Sequence, residues 1–128
     1  MEKDEIRGEI VKFNYKTGGY IGEAIERDER RTLVKTLAVS RHPTQGDLHS
    51  DYDPDAPIFH ERRALAYTEK VWVPAQAAQS YAGRIPEYRE SLKTALAAEI
   101  ERIDRMRRWA DRCSENLATL RRDYRLED

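Results

Sequence analysis

Two spacings of apolar residues divide this chain. In the first part, Val11, Phe13 and Tyr15 fall on alternate positions with Ile10 on the other face, the period of a strand whose successive side chains point to opposite sides. Lys16-Thr17-Gly18-Gly19 follows; because glycine accepts the positive φ of tight hairpins, this predicts a turn into a second strand from Tyr20 to Arg27. Asp28 to Arg31 makes a polar turn, and Leu33 to Val39 reads as a third strand, apolar on both faces as a central strand requires. Phe59 to Tyr67 reads as a fourth strand, and Lys70 to Pro74 as a fifth that its proline stops. Five short strands within about 75 residues predict a small barrel, which removes exposed edges by closing on itself, and the SH3-like barrel fits that pattern.

In the last third the period changes. Ala75 to Gly83 is linker-like, rich in alanine and glutamine, and Pro86 is well placed for a first helical turn. From Leu92 and Leu96 through Ile103 and Met106 to Leu120 and Tyr124, apolar residues recur every three or four positions, giving one apolar face along a helix. An unbroken helix would reach ~57 Å, more than a small barrel covers, so a break is expected between Asp111 and Asn116, with Asp111 or Ser114 capping a second helix. The expected fold is therefore α+β: an SH3-like barrel over residues 1–75 with a long 41–58 loop, then a linker and a C-terminal helical hairpin over 76–128. Its apolar seam is expected to pack on the barrel or on a second copy of the chain, making a homo-oligomer through these helices.

Charge narrows the partners. The formal net charge is -1, with 13 basic and 14 acidic residues before Pro86 and 10 of each from there on, so neither part projects the field that a phosphate backbone requires. Nucleic acid is not expected as the partner, and an RNA-binding barrel is the weakest reading. The basic residues between Arg102 and Arg112 are better explained by i, i+4 ion pairs, Glu101 with Arg105 and Asp104 with Arg108. Cys113 is the only cysteine, which excludes an intrachain disulfide or a thiolate zinc site and suits a reducing compartment. The charged start of the sequence and the lack of any apolar run of ~20 residues point to a cytoplasmic protein with no direct membrane insertion.

The chemistry-bearing residues collect in and after the long loop. His42, His49 and His60 stand with Asp47, and imidazole with carboxylate is a common ligand set for zinc, manganese or iron. None of the familiar ligand spacings is present, and the plainer reading is of solvated or hydrogen-bonded loop side chains, so no metal or cofactor is expected. Asp51 to Asp55 opens like a calcium loop but has Ala56 at the sixth position and Arg62 at the twelfth, where glycine and glutamate belong. Arg62 and Arg63 offer paired donors for a phosphate or carboxylate; the competing reading has one solvated and the other paired with Glu61 or Glu69. Neither a nucleophile elbow nor a phosphate-binding glycine loop occurs, and Cys113 lies in the helical seam, so an enzyme is not expected. The candidate surface, for a protein partner or an anion, is His42, Gln45, Asp47, His49, His60, Arg62 and Arg63.

Longer phrases add a resemblance. GYIGE at Gly19 to Glu23, LVKTLAVSRHPTQGDLH at Leu33 to His49, FHERRALAY at Phe59 to Tyr67 and the closing VWVP resemble the kinase-associated protein B family of spore-forming bacteria, with a weaker echo in NLATLRRDY. The resemblance implies an SH3-like barrel with a helical C-terminal part. It further implies a regulator that lets a sensor histidine kinase feed the phosphorelay that starts sporulation. The expected function is thus a non-catalytic adaptor for such a kinase or another phosphorelay component; a small metal- or phosphate-dependent enzyme built on His42, His49 and His60 is the alternative. The family is sometimes labelled lipoprotein, and this sequence departs from that label because it has no early cysteine to lipidate.

Overall fold

The computed structural model describes residues 8–46 and 52–126. Strand β1, Ile10–Tyr15, pairs antiparallel with β2, Gly18–Arg27, across a two-residue turn in which Lys16 takes a φ of 54°. β2 pairs with β3, Arg31–Arg41, across a turn that Asp28 closes by accepting the backbone N–H groups of Arg30 and Arg31 at 2.8 and 2.9 Å. These hydrogen bonds hold the Asp28 carboxyl below its ordinary pKa. β4, Lys70–Pro74, pairs with β3; a 3-10 turn over Ala75–Ala77 then leads to β5, Gln79–Ser80, which pairs with β1.

The sheet order is β4-β3-β2-β1-β5, antiparallel throughout. Its two edges, β4 and β5, share no ladder, so the expected closed barrel is met as far as a five-stranded antiparallel sheet. The number of strands is as expected, but one of them is not. Phe59 to Tyr67 is no strand: side-chain hydroxyls, described below, take the place of a ladder at Leu65. The fifth strand lies instead inside the stretch expected to be a linker. There Glu9 reaches across the edge, accepting from the Ser80 hydroxyl and pairing with Arg27, while Tyr81 N–H donates to Ile10 O at 2.9 Å.

Alternation fills the core. Val11, Phe13, Tyr20, Val34, Val71 and Val73 are buried against one another, with the Phe13 and Tyr20 rings stacked at 5.5 Å between cross-strand partners. Gly22 is required here, since a Cβ would come within 2.4 Å of Lys35 O where the β2–β3 register shifts. Glu23 is also buried, its carboxylate accepting Gly8 N–H at 2.8 Å and facing Lys35 Nζ at 3.4 Å. On the outer part of the sheet the Arg31 guanidinium lies 4.0 Å from the centre of the half-buried Trp72 ring, a cation–π contact between β3 and β4.

The C-terminal region is one helix, α1, Tyr88–Asp123, and the expected hairpin is not formed. The reason is local. No glycine or proline falls between Tyr88 and Asp123, while Asp111, Ser114 and Asn116 each cost a helix interior less than about 1 kcal/mol. Ion pairs along the surface offset that cost: Glu99 with Arg102 at 2.7 Å, and Asp104 with Arg107 and, at 2.7 Å, with Arg108. Asp104 with Arg108 is the pair expected from the sequence, whereas Glu101 reaches Arg108 at 3.8 Å rather than Arg105. Arg125, at φ 59°, ends the helix by letting Leu126 N–H return to Arg121 O at 3.1 Å.

The chain forms two compact units, Met1–Leu96 and Ala97–Asp128. The first turns of α1 belong to the first unit, where Ala95 is in the core and Tyr88 and Leu92 pack on it. Ser91 is the polar anchor: its buried Oγ accepts Val39 N–H at 2.9 Å and donates to Tyr88 O at 2.7 Å. In the second unit the helix exposes Ile103, Leu117, Tyr124 and Trp109.

Replacing Ser91 by alanine leaves the Val39 N–H buried without an acceptor, and a cost of about 1–3 kcal/mol is expected. Urea unfolding should show the midpoint lowered and the slope unchanged. A second expectation follows from Glu9, whose pKa is lowered from its ordinary 4.5 first by the Ser80 hydrogen bond and then by Arg27. A depressed carboxylate stabilises above its unfolded pKa and loses that contribution as pH falls through its folded pKa. Protection of the Tyr81 amide, taken relative to its intrinsic exchange rate, should therefore hold above pH 4.5 and fall as the pH drops through the lowered Glu9 pKa, and Glu9→Gln should remove this pH dependence of the protection.

Candidate binding surface

At the end of β3 the chain enters the loop and is fastened to the β1–β2 turn. The Arg41 guanidinium donates to Thr17 O at 3.2 Å and Asn14 Oδ1 at 3.4 Å, and Thr44 N–H donates to Thr17 Oγ1 at 2.8 Å. His42 is half-buried, with Nδ1 at 3.1 Å from Pro43 O.

Gln45 then binds the returning segment as a strand would. Its Oε1 accepts Arg62 N–H at 2.7 Å while its Nε2 donates to Arg62 O at 2.9 Å and to Pro43 O at 3.1 Å. One primary amide thus satisfies both backbone groups of a single residue. Gly46 N–H donates to His60 O at 2.8 Å, and the Arg62 guanidinium donates back to Gly46 O. Gly46 has a φ of 99°, and a Cβ there would lie 3.0 Å from the Phe59 ring. Only glycine suits both the backbone conformation and that close approach.

Beyond Arg62 the segment is held by two tyrosines. Leu65 N–H donates to the Tyr20 hydroxyl at 3.2 Å, and the Tyr88 hydroxyl donates to Leu65 O at 2.6 Å. Burial pushes both phenols above their ordinary pKa, so they stay protonated at neutral pH. Tyr67 and Tyr88 bring their rings to 5.7 Å.

The candidate residues accordingly separate. His42, Gln45, Arg62 and the His60 backbone are brought together at the base of the loop, and Gln45 and Arg62 spend their hydrogen bonds internally. Arg62 pairs with a carbonyl, not with Glu61 or Glu69. The His60 and Arg63 side chains face solvent. Asp47 and His49 lie outside the described residues. Among the described residues no group of three or more His, Cys, Asp or Glu side chains is close enough to hold a metal ion. Beside His60 the loop exposes Ile58 and Phe59, at 65 % and 62 % of their full area, and Tyr52 is exposed as well. These apolar side chains lie outside the candidates that titratable groups point to, and an expected strand from Phe59 onward hides Phe59 among core residues.

A small antiparallel sheet with a fastened loop and one long helix defines an α+β protein whose candidate surface is one of contacts. The family model described as Kinase associated protein B matches residues 15–125, and the chain belongs to that family. It is 44 % identical over 118 residues to the Kinase-associated lipoprotein B of Bacillus subtilis (strain 168), covering 91 % of this chain and 92 % of that one. It is also similar to the crystal structure of kinase-associated protein B from Bacillus cereus, with a TM-score of 0.67 and 43 % identity, over 94 % of this chain and 97 % of that one. Among the described residues no helix is long and apolar enough to cross a membrane.

If the Gln45 amide fastens the loop, Gln45→Ala should free both backbone groups of Arg62 to solvent. We expect a loss of about 1 kcal/mol and faster amide exchange at Arg62 and Gly46, with β1 to β3 protected as before. Native-state exchange measured residue by residue checks this.

Proposed function

We propose that the protein is a non-catalytic regulatory adaptor that binds a sensor histidine kinase, or another component of the phosphorelay leading to sporulation, through the surface of the fastened loop. The observation that carries this reading is the way Gln45 and Arg62 spend their polar groups on the loop's own backbone while Ile58, Phe59, His60 and Arg63 are left outward. A mixed apolar and basic surface on a pre-ordered base is suited to a protein partner, because little entropy is lost when it binds. Asp47 and His49 belong to the same loop and complete the proposed contact. The names of the two relatives, both kinase-associated, agree with such a partner. ATP-dependent histidine kinases phosphorylate themselves in the cytoplasm, and this reading assigns the protein there.

The fold reading that accompanies it is an SH3-like barrel. A flat five-stranded sheet would set its edge strands about 19 Å apart. The chain passes from β4 at one edge to β5 at the other through Ala75–Ala78, mostly a 3-10 turn rising about 2 Å per residue. So short a connection reaches the far edge only if the sheet curls toward closure.

The test is titration calorimetry with the purified cytoplasmic portion of a cognate histidine kinase. Phe59→Ala combined with Arg63→Ala should weaken binding at least about tenfold, with the thermal midpoint within a degree or two of the parent, because both side chains are exposed. Unchanged affinity rejects the loop surface, and no binding by the parent protein rejects the adaptor reading itself.

A further inference from the structure

The exposed apolar face of the second unit keeps a stricter period than amphipathicity alone requires. From Leu96 the positions 96, 103, 110, 117 and 124 are Leu, Ile, Ala, Leu and Tyr, and the alternating positions 99, 106, 113 and 120 are Glu, Met, Cys and Leu. This is a repeat of seven with the a and d positions apolar except for Glu99, sustained along the helix, and it is the pattern of a coiled-coil seam. Ile103 is 47 % exposed, Leu117 64 % and Tyr124 63 %, far more apolar surface than a solvated helix face displays.

The charged residues beside the seam discriminate between partners. In a parallel pair of two copies, Glu99 would meet Glu99 inside the seam and Arg102 would face Arg107, two like-charge contacts, one of them desolvated. Turning one copy round removes both. With Ala110 set opposite Cys113, the layers become Ile103 with Leu120 and Met106 with Leu117, and Glu99 meets Tyr124, whose hydroxyl is a donor for the carboxylate. At the flanks, Arg102 then faces Asp123, Arg107 faces Ser114 and Arg121 faces Ile100. Sliding by one heptad in either direction sets Arg107 against Arg107 or against Arg121. One antiparallel register alone avoids every Arg–Arg contact and pairs the one acid at these flanking positions with a base.

We propose that the segment from Glu99 to Tyr124, the end of α1 and the residue that follows it, is the dimerisation element of this protein, docking on the same segment of a second copy as an antiparallel coiled coil with Ile103 opposite Leu120. Within each helix Glu99 also pairs with Arg102 at 2.7 Å.

The full chain tests it. Sedimentation velocity from about 1 to about 200 μM should show a species of twice 15.0 kDa whose share grows with concentration. Leu117→Asp should raise the dimer dissociation constant at least about tenfold, while far-ultraviolet dichroism of the first unit's strands and its thermal midpoint stay as they were. Orientation is read by oxidation with a copper–phenanthroline catalyst in a Cys113→Ser background. Ile103→Cys mixed with Leu120→Cys should form the mixed disulfide dimer. Neither should cross-link alone, because equivalent residues of the two copies would be about 26 Å apart along the axis. A monomer at every concentration overturns the proposal, and so does self-cross-linking of either single variant, which would mark a parallel pair.

Discussion

Everything after the sheet depends on how Leu65 is held. Its N–H rests on the Tyr20 hydroxyl from β2 and its carbonyl receives the Tyr88 hydroxyl from the start of α1, so one buried residue joins sheet, loop return and helix. A strand in this place would have needed a neighbouring strand to supply the same two bonds. Two phenols supply them instead, and burial keeps both protonated. The arrangement leaves Phe59 to Arg63 free of any ladder, and that is why the segment can turn Phe59, His60 and Arg63 outward while the backbone of His60 and Arg62 is satisfied by Gly46 and Gln45.

Much of the sheet was legible because alternation and turn chemistry agree. Val11 and Phe13, the glycines at 18 and 19, Asp28, and the β-branched run through β3 each demand the structure they adopt. The two failures within the sheet have one physical origin. Periodicity records which residues are apolar, not which atoms satisfy the backbone, so the apolar run ending in Ala64, Leu65 and Ala66 looked like a strand although its partners are tyrosine side chains. For the same reason β5 was invisible, a polar pair of residues kept in place by Glu9 and by the backbone of Ile10. The unbroken α1 shows another limit: Asp111, Ser114 and Asn116 are residues that can cap a helix but cost its interior little, and no glycine or proline is there to force a break.

For the candidate surface, residue types were read correctly and their duties were not. Gln45 and Arg62 are side chains of a binding loop by composition, yet both face inward and act as fasteners, while the exposed aromatic beside them carried no signal in a reading that searched for titratable groups. Membership of the kinase-associated protein B family came through phrases such as HPTQGDLH, which no argument from periodicity would have singled out. The chain therefore presents two surfaces of different chemistry, a mixed one around a fastened loop and an apolar seam on a helix, each within its own compact unit.

The two tryptophans divide along the same line. Trp72 is half-buried in β4 under the guanidinium of Arg31, and Trp109 stands 69 % exposed on the helix of the second unit. Their emission is expected to differ accordingly: a half-buried indole between strands emits to the blue of one in water and is less open to a neutral quencher such as acrylamide. The protein thus carries an intrinsic optical label in each unit, and light alone distinguishes an event at the sheet from an event along the helix.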